Sequence, residues 1–195
     1  MVQFEKRNCP LRKSFKGLAA ICKGVGWERP DMQGVYFDGD YMVATDAHVL
    51  VKIPMLIYGF DEDEIQLLNG KIIPGSKFAE LAKLDRFTVE ADRFVGRDKK
   101  DGMVIILFEE IGAAFPQYER LYNEYTMAKV KDLPSISLNA EVLLKAQNAL
   151  PCATHLRMDF RGTREAIVVR PSPVVNEPIP YLDRCVGLVM PCLHK

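Results

Sequence analysis

The sequence has no long hydrophobic run, which argues against a helix that spans a bilayer. Its longest apolar runs, such as MVIIL at 103–107, have only the length of a strand. The N-terminal segment MVQFEKRNCP has no apolar core of the signal-peptide type. We therefore predict a cytoplasmic protein that makes no contact with membranes.

Net charge and cysteine pairs are also missing. Lys and Arg together number 26, as do Asp and Glu, so any attraction to nucleic acid must come from local clusters. The five cysteines are odd in number and include no C-x-x-C pair, which predicts reduced thiols rather than disulfides. His155 and His194 lie near Cys152 and Cys192, but no second ligand pair accompanies either. We therefore predict that the protein binds no metal.

Nucleotide-binding and hydrolytic motifs are not found either. The sequence has no G-x-G-x-x-G, Walker-type loop, G-x-S-x-G or H-E-x-x-H. We predict a protein that is not an enzyme and needs no cofactor. One alternative stays open, which is an enzyme that uses Asp46 and His48. These residues are an acid and a base two positions apart, and residues at that spacing share one side of a strand.

What is present is the composition of a soluble globular protein, with three predicted helices. Of its 195 residues, 48% are hydrophobic and 27% are charged. Apolar residues at three- and four-residue steps predict helices over 11–26, over 71–84 with Ser76 as N-cap, and over 138–150 with Asn139 as N-cap. The acidic run at 61–64 is predicted to be a solvated connector.

Each helix is followed by strand-like segments. Residues 34–54 read as two strands around a Gly39-Asp40 turn, and further strands are predicted at 87–95, 102–110, 155–160, 165–171 and 185–193. The helix-then-strands pattern recurs at a spacing of roughly 60 residues, which suggests one reused supersecondary unit. Segregated helices and hairpin-linked strands favour an α+β fold with antiparallel sheets.

Three short segments carry a family resemblance. ATDAHVL (44–50), FPQYERLY (115–122) and LVMPCL (188–193) resemble, in the same order, the segments ATDGHRL, FPDYRRV and V-M-P-M-R-L of the bacterial DNA polymerase III β sliding clamp family. The segment IIPGSKFAELAKL (72–84) resembles the proline-started helix of that family's middle domain. Ala47 stands where the family has glycine, and Val49 stands where it has arginine.

The resemblance implies the DNA-clamp fold, built from repeated β-α-β-β-β units with antiparallel sheets outside and helices on one face. Residues 1–128 resemble the two-unit middle domain, 129–134 would be a linker, and 135–195 resemble the second half of the last domain. A family ring holds twelve units and this chain has room for about three. If the ring is kept, four chains would be needed, and each third unit would complete a domain across a subunit boundary.

The resemblance also implies a surface pocket into which polymerases and repair proteins insert a short hydrophobic peptide. The residues carried over to this pocket are Thr45, His48, Leu50, Pro116, Arg120, Leu121, Leu188, Val189, Met190 and Pro191. Apolar walls bury leucine or phenylalanine side chains, a flexible Met fits varied partners, and a few polar groups fix the peptide backbone. Each apolar member could equally be an ordinary core residue.

Basic side chains on the helices would face double-stranded DNA, as the family's helices do, without reading bases. The candidates are Arg12, Lys13, Lys16 and Lys23 on the first helix, Lys77 and Lys83 on the second, and Lys145 on the third. A solvated helix face is the alternative. Trp27 could stack on a base, although a lone Trp is more often a core residue.

Two functions follow from these expectations. The first is a homo-oligomeric processivity factor that embraces DNA and tethers polymerase or repair proteins through clamp-binding-motif peptides. The second is an adaptor or decoy that keeps the pocket but does not encircle DNA.

Overall fold

The chain repeats one arrangement of a helix followed by three strands. The computed structural model describes residues 1–4, 10–127, 136–151, 155–162, 164–172 and 180–192. Across these ranges no helix is both long and apolar enough to cross a membrane. The first unit consists of β1 (Val2–Gln3), α1 (Pro10–Lys23), β2 (Gly34–Asp38), β3 (Tyr41–Thr45) and β4 (Val49–Pro54).

The second unit has the same order, and the third repeats most of it. A short helix, α2 (Glu62–Leu68), leads to the second unit, which consists of β5 (Ile72–Pro74), α3 (Gly75–Leu81), β6 (Arg86–Glu90), β7 (Arg93–Arg97) and β8 (Met103–Leu107). After α4 (Glu119–Met127), the third unit consists of α5 (Ala140–Ala149), β9 (His155–Asp159), β10 (Ile167–Ser172) and β11 (Val186–Val189).

The strands form two antiparallel sheets that exchange strands between units. One sheet has the order β5-β2-β3-β4-β11-β10-β9 and the other β1-β6-β7-β8. Strand β1, which precedes α1, therefore belongs to the sheet of the second unit, and β5, which precedes α3, belongs to the sheet of the first unit. The first and third units meet where β4 pairs with β11, in a register that places Leu50 opposite Leu188 and Val49 opposite Val189.

The three unit helices lie together, with α1 between α3 and α5. Phe15, Leu18 and Ile21 on α1 are fully buried and belong to one hydrophobic core that includes residues of all three units. Gly17 permits the close approach of α5, because a Cβ atom there would lie 2.3 Å from the carbonyl oxygen of Asn148. Larger residues at this position would force the helices apart.

The structure confirms the predicted α+β class, with antiparallel sheets and the three repeated helices on one face of them. The helix predicted over 11–26 is α1, and Asn139 caps α5 by accepting a hydrogen bond from the backbone N–H of Glu141. The predicted linker at 129–134 lies outside the described residues. The division into 1–128 and 135–195 stays a prediction, although α5 and β11 contact the first unit directly.

Several local predictions were wrong. The run at 61–64 is not a connector but the start of α2, because Asp61 and Glu64 form a reciprocal capping box. Ser76 is not an N-cap, since Ile72–Pro74 is a strand and α3 begins at Gly75 after Pro74. The segment 87–95 is not a single strand but the hairpin of β6 and β7. Helix α4 was not predicted.

Candidate functional site

The turn between β3 and β4 is held by polar side chains of the ATDAHVL segment. The Asp46 Oδ1 atom accepts hydrogen bonds from the backbone N–H groups of His48 (3.0 Å) and Val49 (2.9 Å). The Thr45 hydroxyl donates to the carbonyl of Val49 and accepts from the N–H of Ala47. Asp46 is thus a structural hydrogen-bond acceptor of this turn. The alternative of Asp46 and His48 side by side on one strand was wrong, because both lie in a turn.

Ala47 occupies the left-handed region of backbone conformation. Its φ is 70°, a value that favours glycine because a Cβ atom crowds the following carbonyl. The β clamp pattern has glycine at this position, and the structure supplies the physical reason for it. The backbone of this turn is also joined to the third unit, because the carbonyl of His48 accepts a hydrogen bond of 3.1 Å from the N–H of Met190.

A cleft of about 200 Å³ opens beside this turn. It brings together seven of the ten predicted pocket residues: Thr45, His48, Leu50, Pro116, Leu121, Leu188 and Met190. These residues come from all three segments that resemble the β clamp family. An apolar cavity of about 150 Å³ can hold benzene, so this cleft has room for one large apolar side chain.

Three predicted residues lie outside the cleft lining. Val189 is fully buried in the core, where it pairs with Val49 of β4 and Ile167 of β10. Pro191 is buried beyond the end of β11, and Arg120 is exposed in the first turn of α4. The alternation of side chains along a strand explains the first case, because Leu188 and Val189 must point to opposite faces of the sheet.

The cleft also has lining residues that the sequence analysis did not assign to the pocket: Arg29, Met32, Ala47, Val49, Gln117, Tyr118 and Ala166. Val49 and Ala166 could have been found from strand position, since both lie beside the β4·β11·β10 junction. Met32 comes from a short 3-10 turn before β2, which has no sequence pattern that points to the cleft.

One wall of the cleft is fixed by a cation among aromatic rings. The Lys52 Nζ atom on β4 lies 4.5 Å from the ring centre of Tyr41, 5.2 Å from that of Tyr118 and 5.0 Å from that of Tyr122. The Tyr118 hydroxyl donates a hydrogen bond to Asp38, and Lys52 pairs with the same carboxylate at 3.7 Å. Burial and the carboxylate of Asp38 raise the pKa of Tyr118.

Helix α4 continues this wall over the outer face of the larger sheet. Tyr122 and Tyr125 pack against a small cluster of buried apolar residues, which consists of Ala166, Val168, Val186 and Leu188. Burial raises the pKa of Tyr122. The 115–122 segment therefore rests on the third unit as well as on the first, and the cleft depends on both.

The predicted DNA-facing cations divide into two groups. Lys13, Lys16 and Lys23 are exposed along one side of α1, and Lys83 is exposed just after α3. Lys16 and Lys83 border a groove of about 580 Å³ together with Lys99 and Lys100, which the sequence analysis did not single out. Their turn, between β7 and β8, has no helical pattern that would have linked it to this surface.

The other three cations are tied to acidic partners. The prediction that Arg12 presents its charge to DNA was wrong, because its guanidinium is buried, lies 2.9 Å from Asp85 and donates to the carbonyl groups of Phe4 and Ala82. Lys77 is half-buried and pairs with Glu80 at 3.6 Å. Lys145 is half-buried and bonds to Asp46 at 2.7 Å.

Trp27, the single tryptophan, lies just beyond α1 and is 88% exposed. The expectation that a lone tryptophan belongs to the core was therefore wrong here.

Comparison with solved structures identifies the fold. The chain superposes on the Helicobacter pylori β clamp, solved in complex with carprofen, with a TM-score of 0.59 and 14% identity over 99% of this chain and 66% of that one. It superposes on the β subunit from DNA polymerase of Streptococcus pyogenes with a TM-score of 0.53 and 11% identity, over 93% of this chain and 64% of that one.

A third similar structure is the DNA polymerase sliding clamp from Caulobacter crescentus, with a TM-score of 0.51 and 14% identity over 94% of this chain and 64% of that one. The chain thus spans just under two thirds of the length of these proteins. No family model matches the sequence, and no curated protein matches it. At this level of identity the likeness shows the architecture, and this chain has the fold of the bacterial β sliding clamps.

Proposed function

We propose that this protein is a sliding-clamp-like processivity factor that holds duplex DNA without reading its sequence and tethers polymerase or repair proteins. One observation carries the proposal. The three segments that resemble β clamp motifs, which are far apart in the sequence, supply the walls of one apolar cleft on a chain with the clamp fold.

The cleft fits a short hydrophobic peptide. Leu50, Leu121 and Leu188 offer apolar surface, and each square ångström removed from water contributes about 25 cal/mol. Met190 at the rim can change rotamer to fit different side chains. His48 and Arg29 are exposed at the same opening and can hold the peptide backbone or an acidic group of the peptide.

The helical face is the proposed contact with DNA. Lys13, Lys16 and Lys23 share one side of α1, where they can neutralise successive phosphates. Such contacts release counterions, so the affinity falls as salt rises, by about 0.9 in the logarithmic slope for each phosphate contacted. With Lys83, a slope of about three to four is expected.

Two separate titrations test the proposal. A labelled clamp-binding-motif peptide should bind the wild-type protein, and Leu121→Lys should abolish this binding, while the exposed and distant Leu67→Lys should not. A labelled duplex should bind with a salt-dependent affinity that Lys16→Glu weakens and Lys71→Glu, which makes the same charge change off the helical face, does not. A protein that binds neither probe would contradict the proposal.

The adaptor or decoy is the second candidate, and one observation favours it. Arg12, Lys77 and Lys145 are all paired with acidic groups, so fewer cations face the helical side than the sequence suggested. This candidate predicts peptide binding without salt-dependent binding of DNA. The same two titrations therefore distinguish the candidates.

Embracing DNA requires association of several chains. With three units per chain, a ring of twelve units would contain four chains, and sedimentation or native mass measurement would detect it. A protein that stays strictly monomeric at micromolar concentration would rule out the ring and leave the adaptor.

A further inference from the structure

The edge of the four-stranded sheet bears a hydrophobic stripe. Met103, Ile105 and Leu107 on β8 are 66%, 53% and 59% exposed, whereas Ile106 between them is buried. These three side chains alternate along the strand and therefore share its outer face. A long apolar edge strand readily pairs with another chain, and proteins ordinarily protect such edges with charge or cover.

The position of β8 in its unit indicates that another strand would pair with its open edge. It is the third strand after the unit helix, as β4 is in the first unit and β11 is in the third. Those two strands pair with each other in antiparallel orientation and join their units into one sheet. In the described part of the chain, β4, β8 and β11 each occupy the third position after their unit helix. Of these three strands, β8 alone pairs on one side only, with β7.

Opposite charges lie at the two ends of β8. Lys99 and Lys100 are exposed in the turn before the strand, while Glu109 and Glu110 are exposed just after it. The two aspartates of that turn are already occupied, and their contacts are internal: Asp98 accepts the N–H groups of Lys100 and Gly102, and Asp101 pairs with Arg86 and Arg97. The strand thus has a positive beginning and a negative end.

We propose that β8 pairs in antiparallel orientation with β8 of a second copy of this chain, about a two-fold axis at Ile105. In this register Ile105 lies opposite itself, and Met103 lies opposite Leu107 of the second copy. The same register brings the lysine turn of each copy to the glutamates of the other. The interface is isologous, so it closes after two chains and does not propagate as a fibre.

This contact extends the smaller sheet in the way that the β4·β11 junction extends the larger one. It does not depend on the proposed function, because an adaptor could dimerise through the same edge. In a ring of several chains it would supply one of the junctions between them.

Solution mass, measured without DNA, gives the first test. Wild-type protein should form dimers, or larger assemblies that contain this contact, at micromolar concentration. Ile105→Lys should weaken the contact about tenfold or more, because it places a charge at the centre of the apolar interface. Leu67→Lys on α2 is the matched control, since Leu67 is also an exposed apolar residue. Equal dimerisation of wild-type and Ile105→Lys protein would overturn the proposal.

A charge exchange provides a second test that does not rely on one apolar variant. The double variant Lys99→Glu/Lys100→Glu and the double variant Glu109→Lys/Glu110→Lys should each dimerise poorly alone, because like charges then meet at both ends of β8. An equimolar mixture should form heterodimers at close to wild-type affinity. A mixture that associates no better than its components would contradict the register.

A disulfide gives the third test. Residues directly opposite in an antiparallel pair have Cα atoms about 4.5–5.5 Å apart, within the range that a disulfide can bridge. In a Cys192→Ser background, Ile105→Cys should therefore cross-link two chains under mild oxidation, and Leu67→Cys should not. Cross-linking at Leu67→Cys to the same extent would show random collision instead of β8 pairing.

Discussion

The Nζ atom of Lys145 on α5 lies 2.7 Å from Oδ2 of Asp46, whose side chain is only 4% exposed. The other carboxylate oxygen of Asp46 accepts two backbone N–H groups of its own turn. A single carboxylate therefore fixes the turn beside the cleft and joins it to the helix of the third unit.

Replacing Asp46 should cost more stability than replacing its lysine partner. Asp46→Ala removes the acceptor of two backbone N–H groups and should lower the free energy of unfolding by about 2 kcal/mol. Lys145→Met removes only a partly exposed ion pair and should cost about 1 kcal/mol or less. Urea unfolding measures both, with His48→Ala as a control expected to be near neutral. Equal costs for Asp46→Ala and Lys145→Met would show that the turn hydrogen bonds contribute little.

Ala47→Gly should stabilise the protein. A φ of 70° strains any residue with a Cβ atom, and glycine removes this strain while it adds freedom to the unfolded chain. We expect a net gain of up to about 1 kcal/mol, visible as a higher urea midpoint. Ala20→Gly, at an exposed helical position of α1, is the control and should destabilise. A loss of stability in Ala47→Gly would contradict the left-handed conformation.

Lys52 should matter for both stability and the shape of the cleft. Lys52→Met removes a cation from three tyrosine rings and from Asp38, for an expected loss of about 1–2 kcal/mol. Peptide affinity should fall as well, since Tyr118 lines the cleft. Lys52→Arg should retain most of both properties, and Lys99→Met, at an exposed lysine of the turn between β7 and β8, should change neither. Unchanged peptide affinity in Lys52→Met would separate the ring cluster from the cleft.

Alkaline pH should weaken the fold through Tyr118. Its pKa is raised in the folded state by burial and by Asp38, so above about pH 10 the unfolded chain releases the phenolic proton first. The stabilising contribution of Tyr118 is thus complete below pH 10 and is lost as pH rises further. Tyr118→Phe should cost stability at pH 8, and this deficit should shrink between pH 10 and 11.5. Urea unfolding across this range measures the difference, and a deficit that grows with pH would contradict the assignment.

The sequence predicted the large features because they depend on periodic burial. The apolar steps of α1 and α5 and the alternation in the strands are set by which side chains leave water, so they can be read without coordinates. The cleft residues Leu50 and Leu188 could also be predicted, since the motif resemblance placed them together before their pairing was visible.

The features that the sequence did not predict depend on local hydrogen bonds of polar side chains and on contacts between residues far apart in the chain. The capping box of Asp61 and Glu64 was present in the sequence, but four consecutive acids read as a solvated stretch. The ion pair of Arg12 with Asp85 joins residues far apart in the chain, and no local pattern predicts it. The aromatic rings around Lys52 come from three separate elements, so their meeting also requires the fold.

The junction of β4 with β11 has a consequence for the order of events during synthesis. Its register partners Val49 and Val189 lie about 140 residues apart in the chain. A nascent chain that has already made the ATDAHVL turn still lacks the opposite wall of the cleft until residues 188–190 leave the ribosome. An incomplete product therefore lacks the wall that Leu188 and Met190 supply, and any ligand of the complete cleft could bind only chains whose third unit has been made.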